Sequence, residues 1–137
     1  MNTFAQTIDL LHRGMSAGAV RHAVIADNIA NADTPNFKRS DVTFESELRR
    51  VMDSQNRRPV LEMTRTDPSH FNNHREREVS EVQLRRVVDF ASTYNSNGNN
   101  VDPEREFMLM LQNQMRFVQM ANAANFEFSQ VSRALRG

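Results

Sequence analysis

The sequence predicts a mainly α-helical protein: long N- and C-terminal helices pair as an antiparallel coiled coil, and a small irregular middle separates them. Apolar residues repeat at coiled-coil spacing from residue 3 to about residue 32, and a second helical pattern follows residue 102. The residues between the two patterns are polar and broken by prolines and asparagines. They leave room for a short helix, loops and one or two strands.

The first helix carries two rows of residues that each repeat every seven positions. One row consists of Phe4, Leu11, Gly18 and Ile25, and the other of Ile8, Met15, His22 and Ile29. Two such rows are typical of a coiled-coil seam, so His22 is interpreted as a packed or interface histidine. At 1.5 Å per residue the helix would be roughly 45 Å long.

Residues 30–39, ANADTPNFKR, are named the elbow here, and they end the first helix. Pro35 and Asn36 fit the two central positions of a turn, because proline fixes φ and asparagine tolerates the left-handed conformation. Phe37 would then be an apolar anchor, and Lys38, the only lysine of the chain, a cation. Residue types alone explain the elbow equally well as a plain helix stop.

The first part of the middle fits a short helix followed by a loop. One face of this helix would hold Phe44, Leu48, Val51 and Met52, with Thr43 as its N-cap and Pro59 as its stop. Residues 60–78 carry a proline, two asparagines and many charges, and they are interpreted as loop.

The second part of the middle is ambiguous up to residue 94. Residues 79–94 fit a short helix or one or two strands, and the β-branched and aromatic residues of 86–94 favour a strand. Residues 95–100, NSNGNN, are named the asparagine loop here and form a turn-rich linker. The predicted organisation is an N-terminal helix over 1–35, a polar middle segment with the end of the elbow over 36–100, and a C-terminal helix over 101–137 that packs with 1–35 as one domain.

The last helix has a clear start and more than one apolar face. Asp102 is the predicted N-cap and Pro103 occupies the first helical position, where its missing N–H costs nothing. Two adjacent rows consist of Met110, Phe117, Ala124 and Val131 and of Phe107, Ala121, Phe128 and Leu135, while Leu111, Met115 and Val118 add a second face. A helix that is apolar on more than one face has more than one partner, so an assembly is expected.

Composition excludes several classes of protein. Seventeen basic and 17 acidic residues balance to zero net charge, which gives no field that would attract nucleic acid or anionic lipid. Hydrophobic residues make up 39% of the chain, which is little for a monomer with a large core. The chain has no cysteine, so disulfides and thiolate metal sites are excluded. No cleavable signal peptide and no membrane-spanning run is recognised, so a soluble chain is expected.

No pattern of residues predicts catalysis, a cofactor or a metal. His70 and His74 are four residues apart, but Pro68 and the asparagines between them argue against a helical metal site. Three arginine pairs begin at residues 49, 57 and 85, and they are interleaved with acids as on solvated faces or in subunit ion pairs. With four glycines there is little material for a phosphate-binding loop.

The end of the first helix and the elbow resemble the signature of the bacterial flagellar basal-body rod proteins, in which a helix ends in Asn-Ile-Ala-Asn-x-x-Thr-Pro-Gly-Tyr-Lys. The matching residues are Asn28, Ile29, Ala30, Asn31, Thr34, Pro35 and Lys38. Asn36 replaces the usual glycine and Phe37 the usual tyrosine, and both changes keep the physical character of the turn. Similarity to the proximal member of the family extends over SDVTF (40–44), TDPSHF (66–71), NGNNVDPERE (97–106), NQMRF (113–117) and SRALRG (132–137).

The resemblance implies a structural subunit of the rod, the helical drive shaft between the flagellar motor with its export gate and the hook. It implies export without a cleaved signal by the flagellar type III apparatus and assembly in the periplasm. The implied partners are copies of the chain, other rod proteins, the rod adaptor protein and the export-gate ring. The residues expected at subunit contacts are Ile8, Leu11, Met15, His22, Ile25, Asn28, Ile29, Asn31, Thr34, Pro35, Phe37, Lys38, Phe107, Met110, Phe117, Ala121, Ala124, Phe128, Val131 and Leu135.

Three other interpretations are open, and two of them predict a different behaviour in solution. Another proximal rod protein of the same family would share every feature above. A small cytoplasmic adaptor that binds through a coiled coil would form a defined dimer, whereas a rod protein would be a poorly ordered monomer or an irregular aggregate. An enzyme would be a compact monomer. Size-exclusion chromatography therefore separates these classes.

Overall fold

A computed structural model describes residues 3–56 and 82–136. In this part of the chain the elements are α1 (Thr3–Ala30), β1 (Ser40–Thr43), α2 (Glu45–Asn56), β2 (Arg85–Val88) and α3 (Pro103–Arg136). The mainly helical fold with two long terminal helices is thereby confirmed. The loop predicted for 60–78, with His70 and His74, and the helix stop at Pro59 lie outside the described residues.

The helices α1 and α3 pack together in opposite directions. At one end the rings of Phe4 and Phe128 meet edge to face, with centroids 5.6 Å apart. Near the middle the Asn113 side-chain amide donates to the Gly18 carbonyl oxygen over 2.8 Å. Low residue numbers of α1 therefore lie beside high residue numbers of α3, and the antiparallel pairing is confirmed.

The face of α1 that packs on the rest of the chain is only partly the predicted one. Gly18 and Ile25 from the first predicted row are buried, together with Ala17, Val24 and Asn28. In the second predicted row Ile8, Met15 and Ile29 are half-buried, and His22 is exposed in the chain. The buried face differs from the predicted one because small and polar residues fill the closest part of the contact. Hydropathy does not mark such residues as part of a core.

A two-stranded sheet and the short helix α2 lie between α1 and α3 in the sequence. The Arg39 carbonyl, just before β1, accepts from the Asp89 N–H, just after β2, over 2.9 Å, so the two strands run antiparallel. β2 ends at Val88, earlier than the predicted 86–94. Asp89 explains the early end, because its carboxylate accepts from the Ala91 and Ser92 N–H groups and offers the backbone an alternative to the ladder.

The chain divides into two compact units. The first consists of residues 3–42 and 84–136 of the described part, and it contains α1, α3 and β2. The second is described over 43–56 and 82–83, and it contains the predicted short helix, α2, on which Val51 is buried. Thr43, the predicted cap, closes β1 two residues before α2 begins.

The start of α3 follows the sequence prediction. The Asp102 carboxylate accepts from the N–H groups of Glu104 and Arg105 over 3.1 and 3.3 Å, as an N-cap does. Pro103 is the first helical residue. None of the helices in the described ranges combines the length and the apolar character needed to cross a membrane.

Candidate functional site: the elbow and the asparagine loop

The elbow forms the predicted turn after α1. The N–H of Phe37 donates to the Thr34 carbonyl over 3.3 Å, with Pro35 and Asn36 between them. Asn36 has φ of 60°, the left-handed conformation expected for its place in the turn. The chain consequently leaves α1 in a fixed direction.

Asn99 of the asparagine loop binds the turn that follows α1. Its side-chain amide donates to the carbonyl oxygens of Asn31, Ala32 and Thr34 over 2.9, 2.9 and 2.8 Å. These carbonyls belong to the turn that follows α1, and one fully buried side chain binds all three, two of which also accept from the N–H groups of Thr34 and Phe37. Its Oδ1 accepts from the Val101 N–H over 2.6 Å, which fixes the start of the α3 segment to the same point.

Asn28 of the signature bridges α1, β1 and α3. Its side chain donates to the Ser40 carbonyl over 2.8 Å and accepts from the Ser40 N–H over 3.0 Å, as a neighbouring strand would. The same amide donates to Glu106 Oε2 over 3.0 Å. Asn28 is fully buried, so these bonds replace all contact with water.

Glu106 is a buried carboxylate at the centre of the site. It is 1% exposed, and its Oε1 accepts from Arg39 Nε over 2.9 Å. Arg39 follows the elbow turn directly, so this ion pair connects the end of the elbow with the first turns of α3. Charge pairing together with the Asn28 bond offsets the cost of burying the carboxylate.

Two further contacts tie the elbow to the asparagine loop. Lys38 Nζ donates to the Gly98 carbonyl over 2.8 Å, and the Asn36 N–H donates to the Asn97 carbonyl over 3.2 Å. Gly98 has φ of +81°, and a Cβ there would lie 2.6 Å from the Asn36 Oδ1. Only glycine fits this position without strain.

Asn100 links the elbow to the segment after β2. Its Oδ1 accepts from the Arg39 N–H over 2.7 Å, and its amide donates to the Asp89 carbonyl over 2.7 Å. The pKa of the nearby Asp89 carboxyl is lowered, chiefly because the Ser92 hydroxyl donates to it, with the N–H groups of Ser92 and Ala91 adding to the effect. The charged carboxylate therefore stabilises this loop at neutral pH, and that contribution is lost as the pH falls through the lowered pKa.

The structure places the predicted contact residues in three environments. Ile25 and Asn28 are buried within the chain, and Lys38 is bonded to the asparagine loop. Half-buried positions are Ile8, Leu11, Met15, Ile29, Asn31, Phe37, Met110, Ala121 and Ala124. Exposed positions are His22, Thr34, Pro35, Phe107, Phe117, Phe128, Val131 and Leu135.

Sequence reasoning missed Glu106, Asn113, Arg39 and the loop residues Asn99 and Asn100 as parts of this site. A signal was present, because Glu106 and Asn113 are seven residues apart and share the face of α3 that meets α1. In the described part of the chain every buried side-chain nitrogen or oxygen has a hydrogen-bond partner, and no cluster of acidic residues and histidines is arranged to hold a metal.

Comparison with known proteins points to one family. The sequence profile of the family described as "Flagella basal body rod protein" matches residues 8–38, which cover most of α1 and nearly all of the elbow. The flagellar basal body rod protein FlgB of Borreliella burgdorferi is 38% identical over 136 residues, 99% of this chain and 100% of the relative. FlgB of Borrelia hermsii is 39% identical over the same shares, and FlgB of Bacillus subtilis is 31% identical over 100% of this chain and 98% of the relative.

Proposed function

The chain belongs to the family of the flagellar basal body rod protein FlgB, and we propose that it builds the rod by packing its terminal helices against those of neighbouring subunits. It is a structural subunit of the flagellar basal body rod. We infer that its action is mechanical: helices nested in a tube transmit torque from motor to hook, without catalysis and without a cofactor.

The observation that supports this proposal is the uncovered apolar face of α3. This face lies opposite the side that meets α1, and its exposed members are Met108, Leu111, Met115, Val118 and Phe126. An exposed apolar stripe of this length marks a surface that binds another protein. Neighbouring helices in a rod would cover it.

The predicted contact residues divide into two roles in this proposal. Exposed residues, such as Phe117 of α3 and His22 of α1, would contact neighbouring subunits directly. Buried residues, such as Ile25 and Asn28, would act by holding the helices and the elbow in the shape that the neighbours require. The methionines of α3 suit such a surface, because their flexible side chains adapt to neighbours that are not equivalent.

The proposed route follows from the family. The subunit would be exported unfolded by the flagellar type III apparatus, without a cleaved signal, and would fold on joining the rod in the periplasm. Its partners would be copies of itself, other rod proteins, the rod adaptor protein and the export-gate ring, with no nucleic acid and no membrane span.

The test is to follow an epitope-tagged chain in a strain that lacks the native gene. We expect the tagged chain to restore motility and to co-purify with hook-basal bodies. A strain without it should be non-motile and should lack complete rods. Retention of the chain in the cytoplasm as a defined dimer, with basal bodies of normal yield in its absence, would favour an adaptor instead.

A further inference from the structure

We propose that Asn97 is a deamidation site of this protein, open in the unfolded chain and guarded by the elbow in the folded chain. Asn97–Gly98 is the only Asn-Gly dipeptide in the sequence. Glycine has no side chain to hinder attack by its own backbone nitrogen on the preceding side chain. The asparagine is exposed in the structure, so water and hydroxide reach it.

The reaction needs no reagent other than water and a base. The base removes the proton of the Gly98 N–H, and the nitrogen forms a bond to Cγ of Asn97. Nδ2 takes a proton from the protonated base, the Cγ–Nδ2 bond breaks, ammonia leaves, and a five-membered succinimide remains. Water then opens the ring at Cγ to give aspartate, or at the former backbone carbonyl to give isoaspartate, in which the main chain runs through the old side chain.

The fold holds each group that would have to move. The Gly98 N–H donates to the Asn95 carbonyl over 3.2 Å, so the attacking nitrogen is engaged. Asn97 Oδ1 accepts from the Asn99 N–H over 3.0 Å, which fixes the side chain that would be attacked. The Asn97 carbonyl accepts from the Asn36 N–H. Because the carbon of this carbonyl would become part of the succinimide ring, the elbow restrains it as well.

The elbow also binds Gly98, the residue whose backbone nitrogen would attack. Lys38 Nζ donates to the Gly98 carbonyl over 2.8 Å, and the Asn36 side chain lies against Gly98. Deamidation in the folded chain therefore requires the loop to open first. When opening and closing are fast, the rate follows the population of the open form.

Isoaspartate would in turn prevent the elbow from closing. It adds one carbon to the main chain and turns the carbonyl that accepts from Asn36 into a branch carboxylate. This consequence rests on the proposed function, in which the subunit is unfolded before export. A subunit that stays unfolded for longer would more often carry isoaspartate and would then fail to join the rod. The chemistry itself is measured on the purified chain, so its failure would leave the proposed function untouched.

The experiment incubates the full chain in mildly alkaline buffer, with and without urea, and maps deamidation by peptide mass spectrometry. We expect Asn97 to be the fastest site in urea and to react at least about tenfold more slowly without urea, a local opening free energy of about 1.4 kcal/mol. Asn97→Gln should abolish the signal, because glutamine would need a slower six-membered ring. Equal rates in the two conditions, or a faster asparagine elsewhere in urea, would overturn the proposal.

Variants test whether the elbow is the guard. Lys38→Met should speed the reaction without urea and leave the rate in urea unchanged. Arg13→Met removes a half-buried cation that pairs with Asp9 far from the loop, and it should alter neither rate. An unchanged rate in Lys38→Met, or the same acceleration in both variants, would show that the elbow does not protect Asn97.

Discussion

At the scale of single residues, short side-chain amides take the place of backbone at the centre of this protein. Asn28 pairs with Ser40 as a strand would, and Asn99 donates to carbonyl oxygens of the turn that follows α1. Each amide offers donors and an acceptor on one short stem, so it can bridge chain segments where no regular element fits. One signature residue, Asn28, and one residue of the asparagine loop, Asn99, thus hold the fold together around the elbow.

Glu106→Gln should destabilise the full chain by roughly 3 kcal/mol, because the largely buried Arg39 charge would keep only its longer pairing with Asp41, at 3.9 Å. Urea unfolding measures the change. Glu104→Gln is the matched control: Glu104 lies two residues away in the same helical turn but is exposed, and its removal should cost less than about 0.5 kcal/mol. Equal effects of the two variants would show that the buried pair does not stabilise the fold.

Gly98→Ala and Asn36→Gly should differ in their effect on stability, although the two residues lie against each other. Alanine at residue 98 would combine a positive φ with a distance of 2.6 Å between its Cβ and Asn36 Oδ1. We expect the free energy of unfolding to fall by about 2 kcal/mol. Glycine at residue 36 accepts the left-handed turn and should be tolerated within about 1 kcal/mol. Thermal unfolding of the two variants decides this. A stable Gly98→Ala chain would mean that the loop is not fixed against the elbow.

At the scale of the elements, α3 has one face for its own chain and another for its surroundings. Asn113 and Glu106 point to α1, while Leu111 and Met115 on the opposite side remain exposed. An element that serves two partners cannot be apolar only towards its own core. This explains why its sequence shows several overlapping rows.

Charges placed on the two sides should separate folding from assembly. Ile25→Asp places a carboxylate in the buried contact and should lose both the fold and the rod, at a cost of several kcal/mol. Met115→Asp lies on the exposed face and should keep the helical circular dichroism spectrum and secretion while abolishing rods. Phe117→Asp, at the edge of the α1 contact, should also block rods. Normal motility of the Met115→Asp strain would rule out this face as a subunit contact.

The elements themselves were largely predictable, and the contacts between them were not. Periodicity predicted α1 and α3, and the Asp102–Pro103 pair predicted where α3 begins. Hydropathy could not predict that Asn99 would be buried, because a run of asparagines normally indicates solvent-exposed turns. Only the fold brings this run to the turn that follows α1, where the Asn99 amide binds backbone carbonyls in place of water.

At the scale of the whole molecule, the chain has a thin core and a large uncovered apolar surface. In the first unit most buried apolar residues lie near the elbow and the adjoining part of α1 and β1, for example Val24, Ile25, Val42 and Val101. The far end of α3 is different, since Phe126 and Leu135 are exposed there. Because little apolar surface is buried there, little free energy offsets the conformational entropy that is lost when that end becomes ordered.

Amide hydrogen exchange of the isolated chain should reveal this gradient. We expect marginal stability overall, with the strongest protection around residues 24–28 and 101–113 and the weakest at the start of α1 and the end of α3. Uniform protection along both helices, as in a cooperative and protease-resistant monomer, would contradict the need for neighbouring subunits.

The elbow connects the three scales, and its role in assembly is the central claim. If it only ends a helix, the Phe37→Ala, Lys38→Glu double variant should assemble. If it fixes the shape that neighbours require, this variant should be secreted normally and still fail to form rods. The deciding measurement is the yield of hook-basal bodies set against secretion of the subunit in the same strain. We predict full secretion with almost no hook-basal bodies, and full secretion with full yield would contradict the account.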